Sequence, residues 1–174
     1  ALSPRHRGLL KGVELADSVT VSAHKMMFQP TESAVVLFSD AERSDAVLEF
    51  AGPDNTQQIG LLGSRADRSL ALALLLLAYG EHGVARWVDA GIAAMMRLAD
   101  FLHTRDDVEV FNSPTSGVLL WRPLKHETDE VLRRLGRTVA GLGLADGRKW
   151  VRQVGSNPLM DVDELIEHIT VALD

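Results

Sequence analysis

The chain has no cysteine. That excludes a disulfide framework and any thiolate metal site, and it is compatible with a reducing compartment, so the cytoplasm is the expected location. Long apolar runs are also missing. The longest, Leu70 to Tyr79, falls short of the roughly 20 residues needed to cross a bilayer, and the opening residues carry no signal-peptide pattern. An excess of positive charge is missing too. The chain has 18 basic and 24 acidic residues, a formal net charge of -6, with the two signs interspersed. A nucleic-acid surface needs a basic stripe, so neither nucleic acid nor membrane is an expected partner. His82, His103 and His168 fall on predicted helices without a second ligand at metal spacing. They read as surface or boundary residues, and no metal is expected.

What is present is the make-up of a globular protein. With 174 residues, 46% apolar and 24% charged, the chain is long enough for one domain or two small lobes. It opens in mid-phrase on Ala1-Leu2-Ser3-Pro4, which reads as a piece of something longer.

The β-branched run Ser18-Val19-Thr20-Val21-Ser22 predicts a short strand. Residues 33–39 predict a second, largely buried one. The link between them, His24 to Pro30, is short enough to make the two strands antiparallel neighbours. Residues 52–63 are polar and rich in turn formers, a predicted loop. A helix over Arg65 to Tyr79, stopped by Gly80, is apolar on nearly every side and is expected to be deeply buried. A second helix runs from about Glu81 to His103, with Val84, Val88, Ile92, Met95, Ala99 and Leu102 along one stripe. Then come strands at Val108 to Phe111 and Gly117 to Trp121, and a helix capped by Thr128 with Val131, Leu132, Leu135 and Val139 on one face. A strand at 150–154 follows, and a last helix opened by Asp161 and Glu164 in the manner of a capping box. The expected order is strands, two helices, then strand–strand–helix–strand–helix, with a lobe boundary near Gly80. Gly141-Leu142-Gly143 has no strand–turn–helix context and does not read as a nucleotide motif.

Lys25 is the most informative residue. It follows a strand and a histidine in a mostly apolar stretch. Partial desolvation disfavours the ammonium form, and a neutral amine attacks an aldehyde to form a Schiff base. A single lysine on a turn is more often a solvated one, so the context decides. Arg152, on a predicted strand before Asn157-Pro158, carries a planar guanidinium suited to bidentate carboxylate binding. An exposed strand-edge arginine is the plainer alternative. Gly63-Ser64-Arg65 opens a helix, where free N–H groups and the dipole favour an anion, although Ser64 is equally well read as a simple cap.

The segment Ala16-Asp17-Ser18-Val19-Thr20-Val21-Ser22-Ala23-His24-Lys25-Met26-Met27 closely resembles the cofactor-lysine segment of the group II pyridoxal-phosphate-dependent amino-acid decarboxylases, which include glutamate, aromatic amino-acid and diaminobutyrate decarboxylases. Val151-Arg152-Gln153-Val154-Gly155-Ser156-Asn157-Pro158 resembles the same family's C-terminal strand. The resemblance spans nearly the whole chain, and two matches in the right order are more specific than either alone.

It implies an α/β chain, the C-terminal part of a fold type I (aspartate-aminotransferase-like) enzyme. Residues 1–80 would be part of the cofactor-binding large domain, and residues 81–174 the small α+β domain with its linking helix. The implied reaction is decarboxylation of an L-amino acid to its amine and carbon dioxide through a Schiff base on Lys25. Pyridoxal 5'-phosphate would be held by Lys25, His24, Ser22, Gly63 and Ser64, the substrate carboxylate by Arg152. A homodimer, or assembly with an N-terminal half, is implied.

Three departures stand beside this. The family's pyridine-nitrogen aspartate and ring-stacking histidine lie upstream of the cofactor lysine, and neither is expected within the 24 residues that precede Lys25. The 52–63 loop has no tyrosine to protonate the product. The segment between Trp121 and Trp150 is short for the family. A non-catalytic remnant, serving as a dimerisation or regulatory subunit, is the competing expectation.

Overall fold

In the computed structural model the described residues are 3–25, 27–30, 33–40, 42 and 69–174. They fall into two compact units, Ala1–Ala85 and Arg86–Asp174.

In the first unit, short 3-10 turns at Arg7–Leu10 and Val13–Leu15 precede β1 (Ser18–Val21) and β2 (Val35–Phe38). The two strands are antiparallel, with Val19 opposite Leu37 and Val21 opposite Val35, as their spacing predicts. The expected burial of β2 does not hold. Val36 and Leu37 are 50% and 56% exposed. A strand that is apolar at successive positions needs cover on both faces, and a two-stranded ribbon supplies none.

Helix α1 (Ser69–His103) joins the two predicted helices through a break at Gly80 (φ 64, ψ -179), a conformation open to glycine. Residues 65–68 lie outside the described residues. Deep burial of the first segment is not found. Of its leucines only Leu72 is buried, while Leu70, Leu74, Leu77 and Tyr79 are exposed. A helix that is apolar all round presents more surface than this unit covers. The second segment behaves as its stripe predicts: Val84, Ile92, Met95, Ala99 and Leu102 are buried and Val88 is partly so.

The second unit is built on a four-stranded antiparallel sheet in the order β3-β4-β6-β5. The strands are β3 (Val108–Val110), β4 (Val118–Pro123), β5 (Gly141–Ala145) and β6 (Arg148–Val154). Strand β5 was not expected from the sequence. It pairs with β6 across Asp146-Gly147, both at positive φ (47 and 68), the geometry that Asp-Gly hairpin turns favour.

One sheet face carries Leu119, Trp121 and Val151. They pack into a single core with Met95, Leu98 and Leu102 of α1, Val131 and Leu135 of α2 (Thr128–Leu135), and Leu165 and Ile169 of α3 (Val162–Leu173). The other face seats Trp150, tilted against Phe111 at 4.9 Å between ring centroids, with the Arg122 guanidinium 5.4 Å from its ring.

Two helix starts differ in how they are capped. Asp161 caps α3, accepting hydrogen bonds from the backbone N–H groups of Asp163 and Glu164, as predicted. Thr128 does not cap α2. Glu127 takes the cap position without a side-chain bond, and the Thr128 hydroxyl points to the Lys149 carbonyl at 3.5 Å. Val139 lies beyond the helix, past Gly136, yet still packs on the core.

Two local features lock this unit. At Gly91 and Gly155 the backbones approach so closely that a Cβ on either would lie 2.0 Å from the other's carbonyl oxygen. Between α1 and β3, Arg105 grips Asp107 through Nε (2.8 Å) and Nη2 (2.6 Å). That grip holds the Asp107 carboxyl below the usual carboxylate range, because the guanidinium favours the ionised form.

Candidate functional site

Lys25 sits on the turn that joins β1 to β2. The turn is built by backbone bonds: Lys25 N–H donates to the Ser22 carbonyl (3.1 Å), Phe28 N–H to the Lys25 carbonyl (3.3 Å), and Gln29 N–H back to the Ala23 carbonyl (3.2 Å). The strands end here because the chain must reverse within a few residues, and Phe28 absorbs the reversal at φ 54, left-handed and unfavourable for a bulky side chain. The Lys25 side chain is exposed. Its apolar neighbours in sequence therefore do not enclose it, and the desolvation suggested by composition is not supplied by the described residues.

His24 is fixed more tightly. Its backbone N–H and its ring Nδ1 both meet the Ser33 carbonyl, at 3.2 Å and 3.1 Å. A carbonyl only accepts, so Nδ1 carries the proton. That leaves Nε2 as the free edge of the ring, without a hydrogen-bond partner among the described residues. Ser22 uses its carbonyl in the turn, and its half-buried hydroxyl has no partner among the described residues. An exposed amine, an imidazole edge and a hydroxyl thus come from four consecutive residues. Gly63 and Ser64 lie outside the described residues, as does the 52–63 loop.

Arg152 belongs to the second unit. It lies on β6, exposed, on the sheet face that carries Leu120 and Trp150. Opposite it on β5 is Gly141, where a Cβ would touch the guanidinium Nη2 at 3.4 Å. The lack of a side chain there lets the arginine lie across the edge strand. No carboxylate pairs with Arg152 among the described residues.

Gln29 is a feature that sequence reading passed over. It is 8% exposed, its Nε2 donates to the Met27 carbonyl at 3.1 Å, and its Oε1 is buried with no partner among the described residues. A polar residue in the otherwise apolar Met26–Pro30 stretch was the available signal. The second unit also holds a cavity of about 240 Å³ beside the end of α1, lined by Met96, Asp100, His103, Phe111, Asn112 and Pro114 among others. None of the sequence-predicted site residues lines it. The described residues contain no cluster of metal-binding side chains and no helix apolar and long enough to cross a membrane.

Residues 1–122 match the family model described as the pyridoxal-dependent decarboxylase conserved domain. The chain is similar to aspartate 1-decarboxylase of Aliivibrio fischeri, 28% identical over 127 residues, covering 70% of this chain and 23% of that protein. It is similar to aromatic-L-amino-acid decarboxylase of Bacillus atrophaeus, 24% identical over 191 residues, covering 95% and 40%. The chain therefore spans less than half the length of these relatives. Among solved structures, mouse CSAD in apo form superposes with a TM-score of 0.80 at 21% identity, over 98% of this chain and 42% of that one. That likeness is one of fold, and it agrees with the expected C-terminal part of a fold type I architecture.

Proposed function

The chain belongs to the pyridoxal-dependent decarboxylase family, and on that premise we propose that it is the lysine-bearing part of an amino-acid decarboxylase, within a longer or two-part enzyme. The observation that carries the reading is the turn at Lys25, where an exposed amine, the Nε2 edge of His24 and a Ser22 hydroxyl, the last two without a hydrogen-bond partner among the described residues, come from four consecutive residues.

These groups fit pyridoxal phosphate. The exposed amine suits covalent attachment of an aldehyde, and it attacks only when unprotonated. The Ser22 hydroxyl donates to a phosphate oxygen. With Nδ1 committed to the Ser33 carbonyl, the Nε2 edge of the His24 ring is the part left to face the phosphate. Gly63 and Ser64, assigned to the phosphate by the family resemblance, complete the proposed set. When bound, the cofactor supplies an electron sink for the pair left behind as carbon dioxide departs. Arg152 would bind and orient the substrate carboxylate through its forked N–H groups, and Lys25 would be the residue that holds the cofactor aldehyde through its side-chain amine. The domain roles assigned from the sequence, large-domain part and small domain, belong to this proposal, as do a homodimer and a cytoplasmic location. The substrate class is an amino acid, and the names of the relatives offer aspartate and aromatic amino acids as the first to try.

The test is cofactor mapping. The chain, alone and together with an upstream half, is incubated with pyridoxal phosphate, reduced with borohydride, digested and read by mass spectrometry, with Lys25→Ala as control. A phosphopyridoxyl group confined to Lys25 is the expected result. Label scattered over Lys11, Lys125 and Lys149 even with the upstream half present overturns the reading, and the exposed apolar β2 and α1 surfaces then favour a non-catalytic assembly subunit.

A further inference from the structure

Gln29 is an odd residue to bury. Its amide is 8% exposed and leaves Oε1 without a partner among the described residues. An apolar side chain of the same length would fill the space without that desolvation cost. The amide orientation follows from chemistry: reversing it would set Oε1 against the Met27 carbonyl oxygen, two acceptors face to face. The one hydrogen bond the side chain makes among the described residues, Nε2 to the Met27 carbonyl at 3.1 Å, is therefore the feature that distinguishes it from an apolar residue.

That bond falls at a strained point. Met27 directly precedes Phe28, whose φ of 54 is held against its preference by its surroundings. Gln29 also supplies the backbone N–H that reaches Ala23 at 3.2 Å. The residue thus ties the far end of the turn twice, once through its backbone to the residue before His24 and once through its side chain to the carbonyl that fixes Phe28. Lys25 lies between these ties, and its carbonyl receives the Phe28 N–H. Were Phe28 to relax to negative φ, the Lys25 peptide would turn with it.

We propose that Gln29 is a positioning residue for Lys25, holding the strained turn so that the amine is presented to the cofactor aldehyde. The inference rests on the reading of Lys25 as the cofactor lysine and adds a residue that this reading does not use.

Two variants of the protein containing this chain test it. Gln29→Met keeps the length and removes the donor. Gln29→Glu keeps the shape and replaces the donor with an oxygen. For each, the rate of borohydride-fixed labelling at Lys25 is measured by mass spectrometry, together with the pH midpoint of the bound cofactor's visible absorbance. Both variants are expected to fold and to label Lys25 about five- to tenfold more slowly, the scale of one lost hydrogen bond, with a displaced midpoint. Rates within twofold of wild type and an unmoved midpoint, with wild-type Lys25 labelled normally, overturn the role of Gln29 and leave the cofactor reading standing. Failure of both variants to fold overturns it in favour of a purely structural residue. Absence of label at Lys25 in the wild type overturns the cofactor reading and this inference with it.

Discussion

The Arg105–Asp107 pair makes a sharp test of how the second unit is held. The two side chains are 20% and 12% exposed, and the guanidinium meets both carboxylate oxygens. The Asp107 backbone carbonyl also accepts the Leu124 N–H at 2.8 Å, so the pair ties the end of α1 to both β3 and the end of β4. Arg105→Gln removes the charge and the fork, leaving a nearly buried carboxylate. Breaking a fully buried pair costs about 3–5 kcal/mol. Residual solvent access at both partners lowers this to roughly 2–3 kcal/mol. The Arg105 guanidinium holds the Asp107 carboxyl below its ordinary value in the folded state, so the stabilisation is fully present above the ordinary carboxylate range and is lost as pH falls through the lower folded value. Denaturant titrations followed by tryptophan fluorescence should show Arg105→Gln destabilised by that amount at pH 6, with the gap to wild type closing as pH falls below about 4. A gap that stays constant from pH 6 to pH 3, or one below about 0.5 kcal/mol at pH 6, would refute the reasoning.

Three further outcomes follow from named contacts. Arg152→Ala should raise the KM for an amino-acid substrate in the assembled enzyme by about 30- to 150-fold, the scale of a charge-assisted bidentate contact; steady-state kinetics checks it, and Arg152→Lys should recover only part of the loss. Gly91→Ala would place a Cβ 2.0 Å from the Gly155 carbonyl oxygen, so a loss on the order of 3 kcal/mol or more is expected in thermal melts. The chain alone should self-associate through its exposed apolar residues, among them Leu37, Leu74 and Leu77; light scattering that reports a monodisperse monomer, unchanged by Leu37→Glu and Leu77→Glu, would count against this.

Much of the architecture was legible in local pattern. A β-branched run marked β1, the helical stripe marked the second half of α1, and Asp161 announced the start of α3, because each signal depends on neighbours a few residues away; β4 and β6 also fell where strands were expected. Strand β5 was missed. Its glycines carry no strand propensity, and it is held by pairing to β6 rather than by its own composition; the Asp146-Gly147 dipeptide was the signal that went unread. Thr128 failed as a cap because the chain before it enters the helix one residue earlier, at Glu127.

The sequence alone determined the family to which the chain belongs and singled out the residues proposed to bear its chemistry. Lys25 after His24, and Arg152 before an Asn-Pro turn, are identities that no fold can change. Tertiary structure alone decided how those groups are presented. It placed Lys25 in the open rather than in an apolar enclosure, directed His24 Nδ1 to Ser33, laid Arg152 across a glycine, and buried Gln29 with an acceptor that meets no partner among the described residues. It also left the apolar faces of β2 and of the first half of α1 uncovered. Apolar composition states only that surface must be buried; which surface, and against what, depends on partners distant in sequence.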